Sequence, residues 1–264
     1  MLRTTFGKTL FEKRWVILGW TLALFATNLL LLQIFPPMKD AFSSMMADLP
    51  DSLAVWFGSN GEIWSSLKGF IGLEVMGQMA LIVIVFAITF TSSTFAKEES
   101  DGRLLSQLAR PRRRASYFIQ KFLAIIFASA IVMAGFLFGT FVGSVVLGDA
   151  ISIETLFLPC VAVWLLALVF ASLMFSLSAM FGRKALAGVV VGFYALIGYF
   201  VSSLRGGADI LETLAKMTPF YYYNNPSVMD YGFQTDNLIV IACLIIIPLI
   251  ISLPIFCRRD LRTR

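Results

Sequence analysis

The ionisable side chains that could do chemistry are concentrated in one polar stretch, residues 97–121, between two long apolar runs. It carries seven of the 21 lysines and arginines, an acidic start, three leucines on one face of a helix and a proline that would end that helix. The acidic, leucine and proline positions are Glu98, Glu99, Leu104, Leu105, Leu108 and Pro111. Negative charge is favourable at a helix start, so the pattern predicts a short amphipathic helix. Such a helix could bind a cytoplasmic protein, although an unpartnered basic loop would have the same composition.

A second candidate is the carboxylate of Glu74, which lies inside an apolar run with Gln78 one helical turn further on the same face. A charge at the centre of a bilayer costs about 2.5 to 3.5 kcal/mol on insertion scales and often marks a transport path. Two interpretations stay open. Glu74 is either an interfacial carboxylate that reaches water or part of a polar site that faces a translocation path.

Several kinds of chemistry are excluded by residues that the chain does not contain. It has no histidine, which removes Ser-His and Cys-His nucleophile pairs and His-ligated zinc. Its three cysteines have no CxxC spacing, so neither a disulfide framework nor a metal site is predicted. No stretch matches the phosphate-binding GxxxxGK[ST] loop. We therefore expect a protein that is not an enzyme and binds no cofactor itself, with any ATP hydrolysis on a partner.

The elements that must position these residues are membrane helices, because 58% of the residues are hydrophobic and only 14% are charged. The hydropathy pattern predicts an all-α integral membrane protein whose 264 residues form one domain with six spans. The predicted spans are residues 15–35, 71–95, 115–147, 156–181, 185–204 and 237–257.

Three segments outside the spans complete the predicted organisation. Residues 1–14 have the basic, amphipathic pattern of an interfacial elbow helix. Residues 97–113 form the amphipathic segment between spans 2 and 3. Residues 205–235 are aromatic, proline-containing and only half polar, which favours outer or re-entrant helices over a free loop.

Positive charge predicts the orientation of the chain. With six spans, 17 of the 21 lysines and arginines fall on the side of both termini. Because positively charged loops stay in the cytoplasm, both termini are predicted to lie there, in a multi-pass protein of the plasma membrane. The high pI of about 9.2 reflects these loops, so we expect contact with lipid and no binding of nucleic acid.

Glycines one turn apart occur in two predicted spans. The third span contains Gly135, Gly139 and Gly143, and the fifth contains Gly188 and Gly192. Small residues at this spacing let helix backbones approach closely. The motif predicts either packing within the subunit or a seam with a second subunit.

A longer pattern resembles a known family. The string Glu98-Glu99-x-x-Gly102-x-Leu104-x-x-x-Leu108-x-x-Pro111-x-x-Arg114, with Lys121 at the head of the next span, is similar to the cytoplasmic signature of ABC type-2 (type V) exporter permeases. Other pieces agree in order and place: the N-terminal elbow, Thr218-Pro219-Phe220-Tyr221 before the last span, and Phe256-x-x-Arg259-Asp260-Leu261 at its end.

The resemblance implies an export function. In such permeases the segment matching residues 98–111 is a coupling helix that docks on an ATPase subunit. A working transporter has two ATPase copies, which bind ATP and Mg, and a second permease subunit, identical or different. Arg103 and Leu105 depart from the family pattern, which often has threonine and an acidic residue there. The substrate would be hydrophobic or amphipathic, such as a drug, antibiotic, peptide or lipid. The alternative is a non-transporting membrane anchor or signalling partner that recruits a cytoplasmic protein.

Overall fold

The computed structural model describes residues 4–47, 66–96, 114–182, 184–204, 209–223 and 227–259. These ranges contain helices and no strand, and six stretches of helix in them are long and apolar enough to cross a membrane. The all-α architecture with six helices of membrane-spanning length is therefore confirmed.

Six long helices and four short ones make up the described part of the chain. The long helices are α1 (Thr5–Gln33), α3 (residues 67–96), α4 (Arg114–Val146), α5 (Ile153–Phe181), α6 (Lys184–Ser203) and α10 (Thr235–Arg258). The short helices are α2 (Phe35–Ala47), α7 (Asp209–Ala215), α8 (Pro219–Tyr223) and α9 (Val228–Tyr231). Helix α5 is the most buried of the six long helices, and it packs against α3, α4, α6 and α10.

Helix α1 runs without a break from Thr5, where the Thr4 hydroxyl accepts a hydrogen bond from the amide of Gly7, to Gln33. Residues 5–14, predicted as part of a separate elbow, thus continue into the first span as one helix. The physical reason is local, since no proline or glycine interrupts residues 8–18. Ile34 caps the end of the helix, and α2 then begins with two prolines in its first turn, where missing amide hydrogens are tolerated.

Helix α3 contains two segments with wider, π-helical turns, Ile71–Gln78 and Ser92–Ala96. In the first segment the amide of Met79 donates to the carbonyl of Glu74, five residues earlier instead of four. Such turns shift the faces that a helix presents and often occur at functional sites. Each segment lies at one end of α3, so both ends of this helix differ from a regular α-helix.

Helices α1 and α4 pack closely along the three glycines of the third span. A methyl group added to Gly135 would lie 2.5 Å from the Thr21 methyl carbon, and one on Gly139 would lie 2.5 Å from the carbonyl oxygen of Phe25. Gly143 faces Leu32 in the same way. These glycines therefore serve helix packing within one chain.

The two glycines of the fifth span have a different environment. A methyl group added to Gly188 or Gly192 would meet nothing within 4 Å among the described residues. Their side of α6 is otherwise apolar and exposed, for example at Val189 and Phe193. This face is open to lipid or to another subunit.

Asn28 adds a polar contact to the seam between α1 and α4. Its side-chain amide donates to the carbonyl of Phe136 over 3.0 Å and to the hydroxyl of Thr140 over 3.1 Å. The residue is fully buried. Because an unpaired polar group in an apolar environment is costly, these bonds fix the register of the two helices.

Six aromatic rings form a cluster where α3, α5 and α10 end and α4 begins. The members are Phe95, Tyr117, Phe118, Phe122, Phe175 and Phe256, and all six are buried. The ring centroids of Phe95 and Phe175 are 4.5 Å apart, and those of Phe118 and Phe175 are 4.7 Å apart. Aromatic pairs at such distances add stability beyond the burial of their surface, so the cluster holds four helices together.

Candidate functional site

The residues predicted to dock a partner lie mostly outside the described residues. Glu98, Glu99, Gly102, Leu104, Leu105, Leu108 and Pro111 belong to this group. Their role stays a prediction. Arg114, the last position of the motif, is described, as are the residues that precede the segment, up to Ala96.

Two lysines bind the carbonyl groups at the end of α3, immediately before residues 97–113. The ammonium group of Lys13 in α1 donates to the carbonyl of Ser93 over 3.0 Å, and that of Lys121 in α4 donates to the carbonyl of Thr94 over 3.3 Å. Lys121 is only 1% exposed, and its ammonium group lies 5.7 Å from the ring centroid of Tyr117.

Two arginines bind the ends of α5 and α10 in the same way. The guanidinium of Arg114 donates to the carbonyls of Cys257 and Arg259, over 3.2 and 2.8 Å. The guanidinium of Arg259 donates to the carbonyls of Ser178 and Ala179, over 3.4 and 2.9 Å. Partial burial lowers the pKa of Arg259 from its ordinary value, which is the direction expected when a cation loses water.

We call Lys13, Arg114, Lys121 and Arg259 the basic end. The last carbonyls of a helix have no partner within the helix and carry the negative end of its dipole, so cations stabilise them. Here the cations come from neighbouring helices or from the residue that follows a helix. The α3 flank of residues 97–113 is therefore tied to α1 and α4. The α4 flank is tied to the end of α10, which Arg259 in turn joins to α5.

A cleft of about 390 Å³ lies at the opposite end of the long helices, between α3, α6 and α8. Its lining is a mixture of glycine, aromatic, hydroxyl and amide groups. The lining residues are Gly72, Leu73, Gly77, Gln78, Tyr199, Ser202, Ser203, Phe220 and Tyr223. The structure thus brings Gln78, a predicted site residue, together with aromatic residues from two other helices.

The π-helical start of α3 forms one wall of the cleft. The wider turn places Leu73 and Gln78, five residues apart, on the same face, and glycines at positions 72 and 77 leave space beside them. The hydroxyl of Tyr223 in α8 donates to the carbonyl of Met76 over 2.9 Å in a buried contact. This bond joins α8 to the wall.

Helix α8 forms the floor of the cleft because it is inserted between the long helices. The ring of Phe220 is buried, with centroids 5.6 Å from Phe170 of α5 and 5.9 Å from Tyr199 of α6. Phe170 lies beyond the midpoint of α5, counted from its first residue. The segment before the last long helix therefore reaches well below the ends of the bundle.

Glu74 does not line the cleft itself but contacts Gln78, which does. Its carboxylate accepts a hydrogen bond of 2.8 Å from the side-chain amide of Gln78, so the two predicted residues are in direct contact. Within the described ranges, no lysine or arginine approaches the carboxylate within 4 Å. The same ranges contain no group of three acidic or cysteine residues that could hold a metal ion.

A salt bridge lies at the same end of α3. The ammonium group of Lys68, near the start of α3, lies 2.7 Å from the carboxylate of Asp230 in α9. The hydrogen bond from Lys68 holds the pKa of Asp230 below its usual value. The salt bridge and the Tyr223 hydrogen bond together attach the segment between α6 and α10 to α3 at two points.

Some of these residues had a sequence signal and others did not. A lysine two turns into the long apolar helix α4 is unusual, and its position alone marks Lys121 as paired or functional. Asn28 gives a weaker signal of the same kind. Tyr199 and Tyr223 gave none, because tyrosine is common near membrane interfaces.

No curated protein matches the sequence. A family model described as "Protein of unknown function (DUF2705)" matches residues 29–262, which include five of the six long helices and the end of the first. The match spans nearly the whole chain, and the chain therefore belongs to the DUF2705 family.

Proposed function

We propose that the chain is the permease subunit of an ATP-driven exporter that moves a hydrophobic or amphipathic substrate out of the cell. A separate ATPase binds and hydrolyses ATP with Mg, and residues 97–113 are its docking segment. The observation that carries the proposal is the basic end. It ties the α3 flank of the docking segment to α1 and the α4 flank to the end of α10, which Arg259 joins to α5, as a coupling device requires.

The coupling acts through named contacts. ATPase closure displaces the segment that contains Glu98 and Glu99. On the α3 flank, the displacement reaches α1 and α4 through the carbonyls of Ser93 and Thr94. On the α4 flank, it reaches α10 and α5 through Arg114 and Arg259. The ends of α3, α5 and α10 and the start of α4 therefore move together, because carbonyls bound to cations resist separation.

The substrate path runs past the cleft beside α3, where Glu74 and Gln78 add a carboxylate and an amide to the hydroxyl and aromatic groups of the lining. Both termini and the basic end face the cytoplasm in this proposal, and the cleft faces outward. The short helices α7 to α9 form the outer or re-entrant cap. The working assembly contains two ATPase copies and a second permease subunit, identical or different.

The test is the double variant Glu98→Ala with Glu99→Ala, reconstituted in proteoliposomes with the ATPase that co-purifies with the wild-type chain. We expect membrane insertion to be unchanged, while transport and the stimulation of ATP hydrolysis by the permease are lost. The matched control is Asp149→Ala with Glu154→Ala, which removes two carboxylates near the turn between α4 and α5. Transport at the wild-type rate in the first variant would overturn the coupling assignment.

Purification of the wild-type chain from its native membrane tests the class of protein. Recovery of an ATPase with a phosphate-binding loop supports the exporter. Stable recovery of a protein without such a loop, and of no ATPase, would favour the membrane anchor instead.

A further inference from the structure

We propose that the cleft between α3, α6 and α8 binds the cationic head of an amphiphile, such as a quaternary ammonium or phosphonium group. This inference names the substrate class of the exporter proposed above and rests on that function for its biological meaning. The binding itself is a property of this chain alone and is tested without an ATPase.

The shape of the cleft suits a bulky group with an apolar body. Its volume of about 390 Å³ accommodates a small organic molecule. Glycines at positions 72 and 77 leave space beside Leu73 and Gln78 on the α3 wall, so a ligand can approach the backbone of α3 there.

The aromatic rings of the cleft favour a cation. Tyr199, Phe220 and Tyr223 come from two helices and line the same space. The face of an aromatic ring attracts a positive charge, and aromatic cages are the common recognition element for quaternary ammonium groups. Among the residues that the structure describes, no lysine or arginine lines the cleft.

Glu74 supplies the countercharge. Its carboxylate is attached to the cleft wall by the hydrogen bond to Gln78, and no described cation lies within 4 Å of it. A carboxylate in a membrane-spanning helix without a cationic partner is unfavourable, and a cation bound in the cleft would neutralise it. A metal ion is a poorer occupant, because one carboxylate gives too few ligands for calcium or magnesium.

An anion or a neutral amphiphile would gain less from this arrangement. An anion would be repelled by Glu74 and by the electron-rich ring faces. A neutral amphiphile would use the apolar walls but leave the carboxylate without a countercharge. The groups present therefore select for positive charge.

The experiment measures binding of tetraphenylphosphonium to the full chain in lipid nanodiscs, with empty nanodiscs subtracted. Tetraphenylborate, which has the same shape and the opposite charge, is the matched ligand. We expect saturable binding of the cation, weakened on the order of tenfold in Glu74→Gln, where one charge is lost with little change of shape. Binding of the anion should be equal or tighter in that variant.

Three further variants separate charge from structure. Glu154→Gln, at the start of α5, is the control carboxylate and should bind the cation as the wild type does. Tyr199→Leu should weaken binding several-fold, on the order of one cation–π contact, while Tyr199→Phe keeps the ring and the affinity. Equal binding of the two ions by the wild type, or an unchanged cation affinity in Glu74→Gln, would overturn the proposal.

The outcomes also separate this inference from the exporter. Cation binding that depends on Glu74, in a chain that stimulates no ATPase, would uphold the site and remove the export function. Coupled transport that is insensitive to Glu74→Gln would uphold the export function and remove the cation site.

Discussion

Lys121 of α4 donates a hydrogen bond to the carbonyl of Thr94 at the end of α3, 27 residues earlier in the chain. The lysine is 1% exposed and lies about 10 Å along its helix, from the rise of roughly 1.5 Å per residue. A buried cation at this position joins the two helices that flank the docking segment. Lys121 is thus part of the folded core, while Lys13, Arg114 and Arg259 of the basic end are partly exposed.

Lys121→Ala should destabilise the protein by about 2–4 kcal/mol, because it leaves a buried carbonyl without its donor and opens a cavity among aromatic rings. The free energy of unfolding can be measured by denaturant titration in mixed micelles. Lys121→Met is the matched control, since it fills the space and removes only the charge and its hydrogen bonds. Full stability in Lys121→Ala would contradict a structural role for the cation.

Gly139→Ala and Gly192→Ala form a matched pair in two equivalent glycine motifs. An added methyl group at Gly139 would lie 2.5 Å from the Phe25 carbonyl oxygen and 2.7 Å from its Cα, backbone atoms that cannot move without displacing α1. We expect a loss of about 1–3 kcal/mol of unfolding free energy. Gly192 has open space, so alanine there should gain up to about 1 kcal/mol from helix propensity.

The measurement is thermal unfolding of both variants as monomers in detergent. Similar losses of stability in the two variants would mean that the glycine motif itself, and not the contact with α1, determines the effect of the added methyl group. A loss at Gly192 only when the chain is dimeric would identify that face as a subunit seam.

The number of long helices followed from the sequence because twenty or so consecutive apolar residues have few alternatives in a membrane. The position at which the first helix starts did not follow from the sequence. Charged, amphipathic residues suggested a separate elbow, but local sequence cannot distinguish a helix that bends at Arg14 from one that continues. The structure shows the second arrangement.

The candidate site was only partly predictable for a similar reason. Glu74 and Gln78 were visible as polar residues at helical spacing, and their contact follows from one helix. Tyr199, Phe220 and Tyr223 come from distant parts of the chain, and only tertiary packing brings them to the cleft. The π-helical turns that place Gln78 beside Leu73 have no simple sequence signature.

Acid should weaken the attachment of α9 to α3. The hydrogen bond from Lys68 lowers the pKa of Asp230 from its ordinary value of 3.8. A carboxylate whose pKa is lower in the folded state contributes stability above its unfolded pKa and loses it as the pH falls through the folded value. The contribution is therefore present at neutral pH and disappears below about 3.8.

Comparison of the wild type with Asp230→Asn between pH 7 and pH 3 tests this prediction. The difference in unfolding free energy should stay constant down to about pH 5, within the ~1 kcal/mol typical of exposed pairs, and then shrink. High salt should reduce it, since both partners are about half exposed. A difference that grows as the pH falls would contradict the assigned pairing.

The hydroxyl of Tyr223 should hold the π-helical start of α3 in place. It donates to the carbonyl of Met76 over 2.9 Å, where the wider turns alter the normal helix hydrogen bonds. Tyr223→Phe removes only this oxygen, and we expect a loss of about 1–2 kcal/mol together with faster amide hydrogen exchange in residues 77–82. Tyr222→Phe is the control, because the Tyr222 hydroxyl bonds to the nearby carbonyl of Lys216 at an exposed site. Faster exchange in both variants would show that α8 as a whole has loosened, whereas unchanged exchange in Tyr223→Phe would show that the turns need no support from it.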